Sequence, residues 1–260
     1  MTDHAGHHAD HGDRRIVLHP NGPVLASAAA ARLVTKLVDV LATRDVAHLV
    51  LTGGTIGIGT LTALAQLPAR EAVDWERVHL WWGDERFLPA GDKERNETQA
   101  RDALLDSLPL NPQFVHPMAP SDGPDGENAE AAAERYAAEL AKYAPEGADA
   151  PVFDVLLLGM GPDGHIASLF PEHPGTREVT PSAIAVHNSP KPPPDRLSLT
   201  FRVIQAAREV WVVASGAEKA ESVAKALLPG ADQVEVPAAG AHGTEATLWL
   251  IDRAAAADLP

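Results

Sequence analysis

The chain has 260 residues, contains no cysteine and carries a formal net charge of −15 at pH 7. The absence of cysteine excludes disulfides, thiolate catalysis and Cys-ligated zinc. The acidic balance argues against nucleic acid as a partner, because binding to nucleic acid depends on clustered Lys and Arg.

The chain opens with a polar, His-rich stretch, residues 1–14, which we expect to be a solvated and disordered tail. This stretch lacks the apolar core of a secretory signal. No later segment reaches the ~18 consecutive apolar residues that a membrane helix needs. We therefore expect a cytoplasmic protein that has no membrane partner.

From residue 15 onward, short apolar runs alternate with segments whose apolar residues recur every 3.6 positions, which predicts alternating strands and helices. The predicted strands span residues 15–19, 47–52, 78–82, 153–158, 183–187, 209–214 and 246–251. The predicted helices span residues 24–41, 60–67, 96–107, 127–143 and 217–228. Such alternation indicates a mostly parallel sheet with helices on both faces. We predict one α/β domain over 15–260, a doubly wound, Rossmann-like fold.

In a doubly wound sheet, ligands bind at the carboxyl ends of the strands. Residues 51–59 follow a predicted strand and are rich in glycine, so Gly53, Gly54 and Thr55 are candidates to cradle a phosphate. Their spacing matches neither the Walker pattern nor the dinucleotide fingerprint, which argues against a nucleotide. A tight turn that needs glycine for its geometry alone remains the alternative.

Two other strand ends carry charged residues. Asp84, Glu85 and Arg86 follow the strand 78–82, where Arg86 could meet an anion and Asp84 or Glu85 could meet hydroxyls. Lys219 lies at the start of the predicted helix 217–228, where the helix dipole disfavours a cation unless an anionic ligand is present. In both places, side chains that simply extend into solvent are the alternative.

The loop after the most apolar strand contains the candidates for catalysis. Gly159, Gly161 and Gly164 surround Asp163 and His165 in this loop. Histidine is the usual general base near neutral pH, and a neighbouring carboxylate can fix its tautomer and orientation. Backbone N–H groups near Gly161, or a nearby cation, could stabilise a developing oxyanion.

A proline-rich segment, residues 189–195, is too short to be a linker between domains. We interpret it as a stiff, polyproline-like loop that positions Lys191 and Arg196.

At these stretches the sequence resembles the glucosamine-6-phosphate isomerase/6-phosphogluconolactonase superfamily. Residues 159–165 are similar to its most specific signature, and residues 52–55 and 215–219 to its phosphate-binding loops. Phe170 stands where the deaminases of this superfamily carry glutamate, and residues 82–86 are similar to the lactonase form. Residues 53–59 depart from many members, which place Ser-Thr-Pro in the first loop.

The resemblance implies hydrolysis of 6-phospho-D-glucono-1,5-lactone to 6-phosphogluconate in the oxidative pentose phosphate pathway. It implies that His165 acts as general base on water and that Asp163 orients it. The implied reaction requires no metal and no organic cofactor. The expected assembly is a monomer or a small homo-oligomer. The residues expected to bind the sugar phosphate are Gly53, Gly54, Thr55, Asp84, Arg86, Gly161, Lys191, Arg196 and Lys219.

Two rival interpretations remain at this point. An aldose–ketose isomerase or deaminase acting on amino-sugar phosphates would use Asp84 as base for a carbon-bound hydrogen, and Phe170 counts against it. A sugar-phosphate-sensing domain of a transcription regulator can share this fold, but it should carry a helix-turn-helix and a basic face. Neither feature is visible in the sequence.

Overall fold

The structure, a computed structural model, describes residues 13–260, so most of the predicted His-rich tail lies outside the described residues. Within this range, strands and helices alternate as the sequence predicts. The strands are β1 (Asp13–His19), β2 (Ala47–Leu51), β3 (Val78–Trp82), β4 (Asp84–Arg86), β5 (Val115–His116), β6 (Val155–Gly159), β7 (Ala183–Val186), β8 (Arg196–Leu199), β9 (Glu209–Ala214) and β10 (Ala246–Asp252). The α-helices are α1 (Gly22–Thr43), α2 (Gly54–Gln66), α3 (Asn96–Ala103), α4 (Ala129–Ala141), α5 (Phe201–Gln205) and α6 (Ala220–Leu227).

Seven strands form one parallel sheet in the order β1-β10-β9-β6-β2-β3-β5. The predicted fold class, a single α/β domain with a mostly parallel sheet and helices on both faces, is confirmed. Two hydrophobic cores flank the sheet, because alternate residues of each strand point to opposite faces. In β6, Val155 and Leu157 pack into the core on the side of α1 and α2. Leu156 and Leu158 pack into the core on the side of α4 and α6.

A second, antiparallel sheet in the order β4-β8-β7 was not predicted. β7 matches the predicted strand 183–187, which therefore belongs to this sheet and not to the parallel one. β4 and β8 have three and four residues, too few for their alternation to be recognised in the sequence. The register of this sheet pairs Arg86 with Arg196 and Asp84 with Ser198. The small sheet therefore brings two basic residues that are distant in sequence to one place.

Several element ends differ from the prediction. β1 begins at Asp13, so Asp13 and Arg14 belong to the sheet rather than to a tail. α2 begins at Gly54, six residues before the predicted start at 60, because its glycines lie inside the helix instead of preceding it. A β-carbon on Gly57 would lie 2.6 Å from the backbone oxygen of Thr52, which explains a glycine inside this helix. The α-helical part of the predicted helix 217–228 begins at Ala220, after a 3₁₀ turn.

Among residues 13–260, no helix combines the length and the apolar character needed to cross a membrane.

Candidate active site

A cleft at the carboxyl ends of the central parallel strands collects the glycine-rich, charged and histidine-bearing stretches. It encloses a cavity of about 110 Å³ and opens to solvent. The residues that line it are Thr52, Gly53, Gly54, Thr55, Ile56, Asp84, Arg86, Asn96, Gly159, Met160, Gly161, His165, Ala167, Arg196 and Lys219. Nine of the eleven predicted site residues are in this lining. The other two, Asp163 and Lys191, contact His165 and each other.

The loop that follows β6 holds His165 beside Asp163. Nδ1 of His165 lies 2.6 Å from Oδ1 of Asp163. The backbone N–H of Gly161 donates to the backbone oxygen of His165 at 3.0 Å, which closes the loop on itself. Of the N–H groups near Gly161 that were expected as candidates to stabilise an oxyanion, that of Gly161 itself is therefore engaged within the loop. Gly161 instead supplies the space in which the imidazole lies.

Asp163 sets the hydrogen-bonding state of His165. Partial burial acts to raise the pKa of Asp163, but the hydrogen bonds from His165 and Lys191 outweigh burial and hold that pKa well below its usual range. An ionised Asp163 is an acceptor only, so Nδ1 of His165 must carry the proton that it shares with Asp163. In the part of the chain that the structure describes, no protein group bonds to Nε2 of His165, which leaves that nitrogen to the cleft.

Phe170 forms the wall behind the imidazole. Its ring centroid lies 4.6 Å from that of His165, and the residue is 1% exposed. The guanidinium of Arg196 covers the same ring at 5.6 Å from its centroid. A buried aromatic ring therefore packs against the imidazole of His165.

The N-terminus of α2 opens into the cleft. Gly53 occupies the N-cap, and no side chain caps the first N–H groups of the helix. Gly54 has φ of +76°, a conformation that favours glycine. A β-carbon on Gly53 would lie 1.9 Å from Oδ1 of Asn96, so glycine is required here for the backbone to approach the Asn96 side chain this closely. Free N–H groups at the positive end of a helix dipole make this edge of the cleft suitable for an anion.

Three cations line the cleft, namely Arg86, Arg196 and Lys219. None of them forms an ion pair with a carboxylate of residues 13–260. Burial lowers the pKa of Lys219. The negative charges of Glu218 and Asp252 act in the opposite direction and offset part of this effect. In a chain with a net charge of −15, unpaired cations at one cleft indicate that an anionic ligand completes it.

Asp84 and Glu85 have different environments, although they are adjacent. Asp84 lines the cleft and accepts a hydrogen bond from Oγ of Ser168 at 2.7 Å. Glu85 is fully buried, and burial raises its pKa to about 7, against the effects of Arg95 and of three backbone N–H groups. Those N–H groups belong to residues 86, 96 and 97, so Glu85 caps the start of α3. Of the two candidates for contact with hydroxyls, only Asp84 reaches the cleft.

Sequence reasoning included Thr52 in the stretch 52–55 but gave it no role of its own, and it missed Asn96 as a residue of the cleft. Oγ1 of Thr52 accepts a hydrogen bond from the backbone N–H of Gly159 at 3.0 Å, which ties the end of β2 to the end of β6. Nδ2 of Asn96 donates to the backbone oxygen of Asp84 at 2.8 Å. Asn96 was predicted only as the first residue of a helix, and no local pattern indicates that this helix begins at the cleft.

Among the described residues, no group of three or more His, Asp or Glu side chains is arranged to hold a metal ion.

Comparisons with known proteins agree with this architecture. The family model of glucosamine-6-phosphate isomerases/6-phosphogluconolactonase matches residues 20–249. The 6-phosphogluconolactonase of Streptomyces coelicolor is 60% identical over 248 residues, which cover 95% of each chain. The 6-phosphogluconolactonase of Mycobacterium tuberculosis is 51% identical over 245 residues, 94% of this chain and 98% of that one. The solved structure of 6-phosphogluconolactonase from Trypanosoma brucei matches with a TM-score of 0.81 and 28% identity, covering 96% of this chain and 100% of that chain.

Proposed function

The chain belongs to the glucosamine-6-phosphate isomerase/6-phosphogluconolactonase family, and from this premise we propose that it hydrolyses 6-phospho-D-glucono-1,5-lactone to 6-phosphogluconate. It is a hydrolase that acts on the ester bond of a lactone, as its closely similar relatives are. One observation carries the proposal: His165, bonded through Nδ1 to Asp163, shares a cleft with three cations that form no ion pairs among the described residues. A general base and an anion site together suit an ester that carries a phosphate.

The phosphate binds at the end of the cleft formed by the start of α2. Gly53, Gly54 and Thr55 offer backbone N–H groups, and Arg86 and Lys219 offer charge from neighbouring strand ends. Charge-assisted hydrogen bonds of this kind contribute on the order of 1.5–3 kcal/mol each. Binding the phosphate at this end orients the lactone carbonyl toward His165. Binding energy from the phosphate is thus used to hold the reacting atoms in the right geometry.

At the other end of the cleft, Nε2 of His165 removes a proton from the attacking water. The water oxygen bonds to the lactone carbonyl carbon, the bond to the ring oxygen then breaks, and His165 returns the proton to that oxygen. Asp163 accepts from Nδ1 throughout and stabilises the imidazolium form. A positioned general base contributes about 10²–10⁴-fold to the rate.

The developing oxyanion needs donors other than the N–H of Gly161, which already bonds to His165. Arg86 lines the cleft, and its guanidinium has donors for this oxygen as well as for the phosphate, whereas the guanidinium of Arg196 bonds to the backbone oxygens of residues 191–193. The charge of Arg86 stabilises the negative oxygen in a site that is partly shielded from water.

The isomerase or deaminase alternative fits this cleft less well. It would require Asp84 to abstract a carbon-bound hydrogen, but Ser168 already donates to the Oδ2 of Asp84. Phe170, packed on His165, replaces the carboxylate that deaminases carry at that position.

The test is stopped-flow hydrolysis of freshly prepared 6-phosphogluconolactone, measured against its spontaneous rate. The enzyme should accelerate hydrolysis strongly and should release no ammonia from glucosamine 6-phosphate. Turnover of glucosamine 6-phosphate without acceleration of lactone hydrolysis would refute the proposal.

A further inference from the structure

Lys191 contacts both members of the pair formed by His165 and Asp163. Its Nζ donates to Oδ1 of Asp163 at 3.0 Å and lies 3.3 Å from Nδ1 of His165. Oδ1 of Asp163 therefore accepts from two donors at once, the ammonium of Lys191 and the imidazole of His165. The side chain of Lys191 is 39% exposed, and Lys191 is absent from the cleft lining.

Arg196 holds the loop that carries Lys191. Its Nη2 donates to the backbone oxygens of Lys191 at 3.2 Å and Pro192 at 2.9 Å, and its Nε donates to that of Pro193 at 3.3 Å. Oγ of Ser189 also donates to the backbone oxygen of Lys191, at 2.9 Å. A buried guanidinium that bonds to three consecutive carbonyls fixes the path of the loop, and lysine could not replace this fork of donors.

We propose that Lys191 is a positioning residue, which holds the Asp163 carboxylate against Nδ1 of His165, and that Arg196 holds Lys191 in place for this purpose. The proposal rests on the lactonase function proposed above. It gives Lys191 a role different from the substrate binding expected from sequence, because its ammonium already bonds to Asp163.

The physical argument concerns the charge and the orientation of one carboxylate. With the ammonium in place, Asp163 remains ionised and its Oδ1 stays directed at His165. The lowered pKa of Asp163 is consistent with this arrangement. Without the ammonium, the hydrogen bond with His165 still lowers the pKa of Asp163 but burial opposes it more effectively, so that pKa rises, and one restraint on the carboxylate torsion is lost. His165 then has a weaker orienting partner, so the chemical step slows while substrate binding changes little.

The experiment compares Lys191→Met, Lys191→Arg and the matched control Lys225→Met. Lys225 is an exposed lysine of α6 that pairs with Glu221. Lys191→Met should lower kcat by at least about tenfold, the scale on which supporting partners of active-site groups act, with KM within about twofold of wild type. Lys191→Arg should restore most of the loss, and Lys225→Met should behave as wild type.

A second measurement uses the ligand-free protein and does not depend on turnover. The titration of Asp163, followed by carboxyl ¹³C NMR, should move to higher pH in Lys191→Met and stay in place in Lys225→Met. Circular dichroism verifies that each variant is folded. Arg196→Lys should cost less activity in the Lys191→Met background than in wild type, because both changes affect the same contact.

An increase in KM with unchanged kcat in Lys191→Met would show that Lys191 binds the substrate and would overturn the proposal. An unchanged titration of Asp163 would overturn it as well, whatever the kinetics. If wild-type protein fails to accelerate lactone hydrolysis, the proposed function is wrong, but the NMR comparison still decides the role of Lys191.

Discussion

The backbone of Gly161 approaches the imidazole of His165 so closely that a β-carbon at residue 161 would lie 2.1 Å from Cε1 and 2.2 Å from Nδ1 of that ring. The same β-carbon would lie 2.5 Å from Oδ1 of Asp163. No side chain can occupy this position without displacing the pair. The glycine therefore determines where His165 lies.

Gly161→Ala should consequently displace His165 and lower kcat by at least about tenfold, since small misplacements of reacting groups are costly. The forced contact should also reduce the free energy of unfolding by about 1–3 kcal/mol. Steady-state kinetics and urea unfolding measure the two effects. The matched control is Gly59→Ala in α2, where the nearest atom to the new β-carbon, in Ala26, is 3.8 Å away. Gly59→Ala should keep full activity, and its free energy of unfolding should increase by about 0.5–1 kcal/mol. Equal behaviour of the two variants would contradict the argument.

His165→Ala should leave a folded protein whose kcat is reduced by at least about a hundredfold, in line with the usual contribution of a general base. Stopped-flow hydrolysis of the fresh lactone, corrected for the spontaneous rate, measures the loss. His19→Ala is the control, because His19 contacts the backbone oxygen of Ile251 and does not line the cleft. A near-normal kcat in folded His165→Ala would remove this residue from the mechanism.

Lys219→Ala should weaken hydrolysis of the phosphorylated lactone far more than that of plain gluconolactone. Loss of one charge-assisted hydrogen bond, on the order of 1.5–3 kcal/mol, corresponds to a decrease in kcat/KM of about 10- to 100-fold. The measurement is kcat/KM for both substrates with wild type and variant, and Lys225→Ala serves as the control for loss of a positive charge. Equal effects on the two lactones would show that Lys219 does not bind the phosphate.

A row of histidines on β2, β3 and β5, away from the cleft, should make stability depend on pH. Nδ1 of His79 lies 2.9 Å from Nε2 of His116, whose Nδ1 lies 3.0 Å from Oε1 of Glu139. Burial lowers the pKa of His48 to about 4 and that of His79 to about 3, and it also lowers the pKa of His116. Unfolding restores their ordinary pKa, near 6.5, so between pH 6.5 and 4 the unfolded state binds more protons than the folded state.

The free energy of unfolding should therefore be insensitive to these histidines above pH 7 and fall as pH decreases from 6.5 toward 4. The loss should be on the order of 1–2 kcal/mol per histidine between pH 6.5 and 5. Buried Glu85, whose pKa is raised to about 7, acts in the opposite direction over part of this range. The comparison of wild type with His79→Phe in urea, at pH 7, 6 and 5, isolates the histidine contribution, and His79→Phe should show the smaller loss at low pH. Exposed His187 is the control: its pKa is raised by Asp195 and Glu130, so His187→Gln should not reduce the acid loss.

Local sequence was sufficient to predict the parallel sheet and most of the site. Apolar runs and 3.6-residue periodicity are local signals, and they placed the central strands within a few residues. Because the carboxyl ends of parallel strands meet at one edge, the stretches around Gly53, Asp84, His165 and Lys219 had to converge. The pairing of His165 with Asp163 needed only two residues of separation within a glycine-rich loop.

Tertiary structure alone decided the features that depend on contacts between distant segments. The antiparallel sheet brings Arg196 to Arg86 through strands too short to be recognised by their alternation. The contact of the Arg196 guanidinium with the Phe170 ring and the bond of Lys191 to Asp163 likewise join segments that are distant in sequence. Such contacts depend on how the loops pack once the main sheet has formed, and no periodicity along the chain encodes that packing. The sequence therefore determined most of the stretches that meet at the cleft, and the packing between distant segments decided which of their side chains line it and which hold the others in place.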